Sequence, residues 1–223
     1  MKGISNYERS VYNNLKKTYP GKIIAPGKLR LEQTLTNSSN IIIMPVLEDS
    51  IAPLKTEVRL NKNDLFFMVG MGLFIVREET GKEGRAVLQT YPNENTFPVV
   101  AGFKPTDLEV IYNGRLSMKV GAVEYISILD TNRFRFVPET QQSAATNKDE
   151  FSEDNNFAEL PTHYKLRGTD QTEISIVLPT FNGIEIESVT AGFTHRLVLI
   201  PKGFIIKNGA KLEPVKRERR KAR

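Results

Sequence analysis

Leu65-Phe66-Phe67-Met68-Val69-Gly70-Met71-Gly72-Leu73-Phe74-Ile75-Val76 is the longest apolar stretch of the chain. At about a dozen residues it is too short to cross a bilayer as a helix, which takes about 20. Its β-branched and aromatic content reads as a long strand. The glycines at 70 and 72 mark a bend, a bulge or a close backbone approach within it.

The segments on both sides of it carry the two-residue period of half-buried strands. Upstream, Leu29, Leu31 and Leu35 alternate with Arg30, Glu32 and Thr34; Asn40 to Val46 is a β-branched run, and Thr56 to Leu60 alternates again. Downstream, Glu79 to Gly84 reads as a turn and Arg85 to Tyr91 as a strand. Leu108 to Tyr112, Asn113-Gly114 and Arg115 to Val120 read as a hairpin, because Asn-Gly tolerates the positive φ of a type I′ turn. Val123 to Leu129, Arg133 to Val137, Glu173 to Leu178, Ile184 to Val189 (after Asn182-Gly183), Arg196 to Ile200 and Gly203 to Ile206 continue the series. Arg133-Phe134-Arg135-Phe136 on a strand places Arg133 and Arg135 on one face, either solvated or meeting a phosphate or a partner carboxylate.

One segment breaks this pattern at the N-terminus. Ser5-x-x-Glu8 has capping-box spacing, Tyr7, Val11, Tyr12 and Leu15 recur at helical intervals, and Tyr19-Pro20-Gly21 stops them. A helix this short must dock on something to be stable. Pro138 to Pro161 is polar and acidic and reads as a long exposed loop.

Many short strands about ten residues apart, without βαβ alternation or internal repeats, indicate an all-β sandwich or barrel of Greek-key or jelly-roll type. Two barrels would be cramped in this length, so the expected fold is a single β-sandwich/jelly-roll with a short N-terminal helix and a long acidic loop. The expected organisation is a helix and basic arm over 1–28, a sandwich domain over 29–210 with its loop at 138–161, and a basic tail over 211–223.

The 223 residues are 39% hydrophobic and 26% charged, enough for a core that buries roughly 70% of the unfolded surface. There is no Cys, which excludes disulfides, thiolate metal sites and Cys nucleophiles. The net charge of +5 is unevenly divided. The first thirty residues carry seven Lys/Arg against Glu8, and residues 211–223 carry seven against Glu213 and Glu218, leaving 17 basic and 23 acidic residues between them. The body is acidic and both ends are basic. Residues 1–20 lack the apolar core of a secretion signal, so the chain reads as soluble and unsecreted. On that reading the Asn37-Ser38-Ser39 acceptor pattern is accidental.

Enzyme signatures are sparse. His163 and His195 are the two histidines and form no ligand motif; surface or strand-edge positions account for them. Gly70-Met71-Gly72 and Gly81-Lys82-Glu83-Gly84 lack phosphate-loop spacing. Asp149, Glu150, Glu153 and Asp154 lack the alternation of a calcium loop. No catalytic residue, metal ligand or cofactor is expected.

The tail residues Lys216, Arg217, Arg219, Arg220, Lys221 and Arg223 come without an aromatic to stack a base. Three readings stay open for them: non-specific contact with nucleic acid phosphates, docking on an acidic neighbouring subunit, or plain solvation.

Leu29 to Gln33, Thr56 to Phe66 with its following apolar strand, and Asn113 to Leu116 through Arg133-Phe134-Arg135-Phe136-Val137-Pro138-Glu139-Thr140-Gln141 resemble bacteriophage virion proteins, in particular jelly-roll capsid proteins of phages of Bacteroidetes-type hosts. The resemblance spans residues 29 to 141, in a chain shorter than double jelly-roll capsid proteins. It implies a capsid building block or capsid-associated protein, located in the virion, that assembles with itself and with other virion proteins, with no catalytic residues to carry over. The alternative is a non-catalytic binding module, either a host-receptor or carbohydrate adhesin or a tail-associated protein. A β-sandwich hydrolase ranks third.

Overall fold

The computed structural model describes residues 5–48, 56–137, 156–179 and 184–212. Among these residues it is an all-β sandwich of two antiparallel sheets with one α-helix. The strands are β1 (Ile24–Lys28), β2 (Leu31–Thr34), β3 (Ile41–Pro45), β4 (Leu65–Glu79), β5 (Arg115–Val120), β6 (Val123–Asp130), β7 (Ala158–Arg167), β8 (Thr172–Val177) and β9 (Phe193–Ile206). The first sheet runs β1-β9-β4-β7, with β2 continuing β1 along the same edge of β9. The second runs β3-β8-β5-β6. Between them lies one apolar core, to which the first sheet contributes Leu31, Leu73 and Leu199 and the second Met44, Leu116 and Ile174.

The apolar stretch from Leu65 to Val76 forms most of β4, and its continuity has a geometric cause. Phe66 and Met68 face the inter-sheet core while Leu65, Phe67 and Val69 face outward. A bulge then intervenes: Met68 pairs with Gly203 and Gly70 with Lys202, leaving Val69 as the extra residue. One extra residue exchanges the two faces of a strand. Beyond it Met71, Leu73 and Ile75 face the core, and Phe74 and Val76 face outward. Both faces are covered, so no position in the run is polar. The glycines serve close approach. A Cβ on Gly70 would stand 2.9 Å from the Ala158 carbonyl oxygen, and one on Gly72 2.7 Å from that of Asn156.

The helix α1 (Asn6–Thr18) begins with the expected box: the Ser5 hydroxyl accepts from Glu8 N–H at 3.2 Å, and Glu8 Oε2 accepts from Ser5 N–H at 3.1 Å. It lies on the outer face of the first sheet, where Val11, Leu15 and Tyr19 pack on Leu65, Phe67, Val69 and Phe204. Each such side chain contributes roughly 1.5–3 kcal/mol when buried, which offsets the cost of ordering a short helix. Residues 24–28, counted within the basic arm on sequence, form the edge strand β1.

Several expected strands take other forms. Leu108 to Tyr112 is not the first arm of a hairpin but part of a 3-10 helix, Pro105–Asn113. Proline opens it, and Leu108, Ile111 and Tyr112 are buried. Gly114 has φ −85°, so Asn113-Gly114 is no type I′ turn; a Cβ there would stand 2.9 Å from the Val177 carbonyl oxygen. The hairpin that does form joins β5 to β6 through Gly121, at φ 59°.

Arg133 to Val137 is likewise not a strand. The Thr131 hydroxyl donates to the carbonyls of Ile111 at 2.7 Å and Gly114 at 3.0 Å, starting a 3-10 turn over Thr131–Phe134. Arg85 to Tyr91 makes one bridge, Ile75 with Gln89, and otherwise lies over β4. Ile184 to Val189 is irregular because Asn37 Oδ1 accepts the N–H groups of Ile186, at 2.9 Å, and Glu187, at 3.2 Å. The two expected terminal strands are one continuous β9, unbroken by Pro201 or Gly203. The expected loop at 138–161 falls outside the described residues as far as 155, and from Ala158 the chain is strand β7. Asn182-Gly183 and residues 213–223 also fall outside them.

Candidate functional site

The densest charged cluster lies on the outer face of the first sheet, beyond Phe74 and Val76. Arg196 Nη1 stands 2.9 Å from Glu78 Oε2 and 3.3 Å from Glu32 Oε2, and Glu32 Oε1 is 2.6 Å from Arg30 Nε. Glu57 Oε1 accepts the Glu32 N–H at 3.0 Å while its Oε2 meets Arg59 Nη2 at 2.9 Å. Glu78 Oε1 also accepts from the Gly84 N–H. Three carboxylates face three guanidinium groups, and all but Arg30 are at most one-tenth exposed. The charges are balanced and largely enclosed, and they tie Glu57, Arg59 and Gly84 onto the sheet.

His195 is buried rather than at a surface or strand edge. Its ring stands 5.3 Å from that of Phe97 and 4.9 Å from that of Phe103, and Nδ1 donates to the Ile186 carbonyl at 3.0 Å. Burial pushes the imidazole below its ordinary pKa, and the charge of Arg77 acts in the same direction; the Ile186 bond opposes them. The group is a neutral clamp that holds the 184–189 segment. His163 is exposed on β7 near Phe67. Among the described residues no three His, Cys, Asp or Glu side chains are grouped so as to hold a metal ion.

The expected arginine face does not form. Arg133 and Arg135 are both exposed, and they flank the buried Phe134 on a 3-10 turn. Arg135 Nη2 meets Glu109 Oε1 at 3.1 Å with both side chains about 40% exposed, a surface pair worth less than about 1 kcal/mol. The tail residues Lys216, Arg217, Arg219, Arg220, Lys221 and Arg223 lie outside the described residues.

What remains is the outer face of the second sheet. Ile41, Ile43, Ser175, Val177, Arg115, Ser117 and Lys119 share it, because each alternates with a core residue such as Ile42, Ile176, Leu116 or Met118. Ile41 and Ile43 are each 49% exposed, Val177 41% and Ile128, on β6, 63%. Register places Arg115 opposite Asp130 and Lys119 opposite both Glu124 and Glu173, so the face carries both signs of charge. Strand β6 is the sheet's edge, with Val123 and Tyr125 also exposed. Sequence reading places these residues on strands but does not single them out, since a β-branched residue on a solvent face reads the same as one under a cover.

Comparison of the chain with protein-family models, with curated proteins and with solved structures finds no match in any of the three. Among the described residues no helix is long and apolar enough to cross a membrane.

Proposed function

We propose that this protein is a structural building block of a virion, a jelly-roll capsid or capsid-associated protein that assembles in many copies with itself and with other virion proteins. The observation that carries the reading is the outer face of the second sheet, over which no element lies among the described residues, with its edge strand β6. Ile41, Ile43, Val177 and Ile128 there stay in water in a single copy, and burial against a second copy removes that cost. Mixed charges on the same face allow it to meet its own copy across a two-fold axis without net repulsion. An unpaired edge strand offers a second, backbone-mediated contact.

The strand order supports the same reading. With β1 and β2 taken as one kinked edge strand, the eight strands in chain order stand as 1-8-3-6 over 2-7-4-5. That is the order of a jelly roll, a fold used by viral capsid proteins and also by lectins. The resemblance read from residues 29 to 141 points to the first of these uses.

Mass measurement and negative-stain electron microscopy of the full chain at low and high salt test the proposal. Closed particles, rings or extended sheets are expected. A monomer at every concentration and salt would refute it.

One observation favours the adhesin reading: Tyr125 and Tyr164 come together at the sandwich edge with ring centroids 6.2 Å apart. Glycan-array binding lost on Tyr125→Ala would support it, and no binding by the native chain would remove it.

A further inference from the structure

We infer that two copies of the chain pack face to face through the outer face of the second sheet, about a two-fold axis that runs along its strands. The inference rests on the self-assembly reading above and adds which residues meet. Strand register lays the face out in rows. One row is Ile41, Val177, Arg115 and Asp130, and another is Pro45, Glu173, Lys119 and Glu124. Between them stand Ile43, Ser175 and Ser117, with Ile128 completing the row on β6, two residues from Asp130. The two serines share a hydrogen bond of 2.9 Å.

The charges of this face are left unused in one copy. The buried guanidinium groups of the first sheet are all ion-paired, as Arg196 is with Glu78 and Glu32. Among the described residues Arg115, Lys119, Glu124, Asp130 and Glu173 form no ion pair, although opposite signs stand on adjacent strands. A partner can complete what one copy leaves open.

Charge also selects how that partner sits. Sheets packed face to face in the aligned manner keep their strand directions within about 30° of each other. A two-fold axis between them then runs either across the strands or along them. With the axis across, the Arg115 row meets the Lys119 row of the second copy: Arg115 faces Lys119 and Asp130 faces Glu124, each like-charged pair occurring twice. With the axis along the strands, every row meets itself in reversed strand order. Lys119 then faces Glu173 of the second copy, twice by symmetry, Ser117 faces Ser175 and Arg115 lies over Val177. Ile43 and Ile128, 49% and 63% exposed, cover each other. Asp130 and Glu124 come over Ile41 and Pro45 at the rim, and no like charges meet. Four strands and five residues make a patch of roughly 19 by 17 Å, small for a lasting complex. A contact of this size is weak alone and gains strength when a particle repeats it.

Sedimentation velocity on two charge variants is the test. Lys119→Glu places a carboxylate over Glu173 of the second copy, and Glu173→Lys places an ammonium group over Lys119. Each variant alone should self-associate about tenfold more weakly than the native chain, or worse. Mixed in equal amounts they should regain association, because each copy then offers the other the opposite charge at both contacts. A defect confined to one copy would not be rescued by mixing. The chain has no Cys, so introduced thiols report proximity without background. Sheets about 10 Å apart exceed the roughly 7 Å Cα reach of a disulfide, so a short bismaleimide is the reagent. It should join Ile43→Cys to Ile128→Cys in a mixture and leave each of them uncoupled alone. Coupling of Ile43→Cys to itself would indicate the axis across the strands and overturn the proposal. Native assembly without rescue by mixing would overturn this pairing and leave the virion reading standing. A cross-linked dimer that never grows into larger species would uphold the pairing and refute shell assembly. A native chain that stays monomeric throughout would overturn both.

Discussion

The outer faces of the two sheets are built differently. On the first, β4 and β9 present Leu65, Phe67, Val69, Phe74, Val76, Val198 and Ile200, and each is covered: by α1 at one end, and by Phe157, Ala86 and Leu88 at the other. Past them the Arg196 cluster ties down further chain. On the second, Ser117, Ser175, Lys119 and Glu173 stand among Ile41, Ile43 and Val177, and among the described residues no element lies over them in one copy. A face built of large apolar groups needs a cover from its own chain to fold. A face that mixes polar and β-branched residues can wait for a partner.

The contrast predicts a hierarchy of damage. The largest effect is expected at Arg196. Arg196→Ala leaves Glu78 buried without its guanidinium and Glu32 with Arg30 alone, and should cost about 3–5 kcal/mol in urea unfolding. A loss below about 1 kcal/mol would mean that water enters the cluster.

Next comes the helix. Leu15→Ala should cost about 2–3 kcal/mol, since it opens a cavity between α1 and Phe67. Ile43→Ala, a comparable truncation on the bare face, should stay within about 0.5 kcal/mol for the monomer. Equal losses at the two sites would erase the distinction between the faces.

Acid sensitivity probes the same covered architecture from inside. His195 titrates below its ordinary value in the folded chain, so the unfolded chain binds the proton first as pH falls. Its contribution is fully present above about pH 6.5 and is lost as pH drops through the folded value. The native chain should lose stability over the interval just below about pH 6.5. His195→Asn, which retains a donor for Ile186, should flatten that interval; an unchanged slope would assign it elsewhere.

These contrasts also mark how far the sequence could be read. The N-terminal helix, strands β3 to β6 and β8, and the all-β class follow from local signals: a capping box, a two-residue period and turn glycines. The run 65–76 is legible as a strand, but its phase reversal is not, because the extra residue Val69 is defined only by pairing with β9. Leu108 to Tyr112 satisfies a strand and a 3-10 helix equally, and Pro105 together with the Thr131 hydroxyl bonds decides between them. Arg133-Phe134-Arg135-Phe136 fails for a related reason: alternation over four residues also describes one turn with a buried Phe134. Ile184 to Val189 has strand composition, but its backbone donors are taken by Asn37, almost 150 residues away in sequence. As for the candidate surfaces, the basic ends are visible as charge runs in the sequence. The bare face depends on which strands are left uncovered, and only the topology supplies that.

The most direct test of the central claim, that the uncovered sheet builds assemblies, is mass photometry of the native chain beside an Ile43→Lys/Ile128→Lys variant. Both substituted positions are exposed, so the monomer's melting temperature should hold while the large species disperse to monomer. If the variant assembles as the native chain does, with its fold intact, the outer face of the second sheet is not what joins the copies.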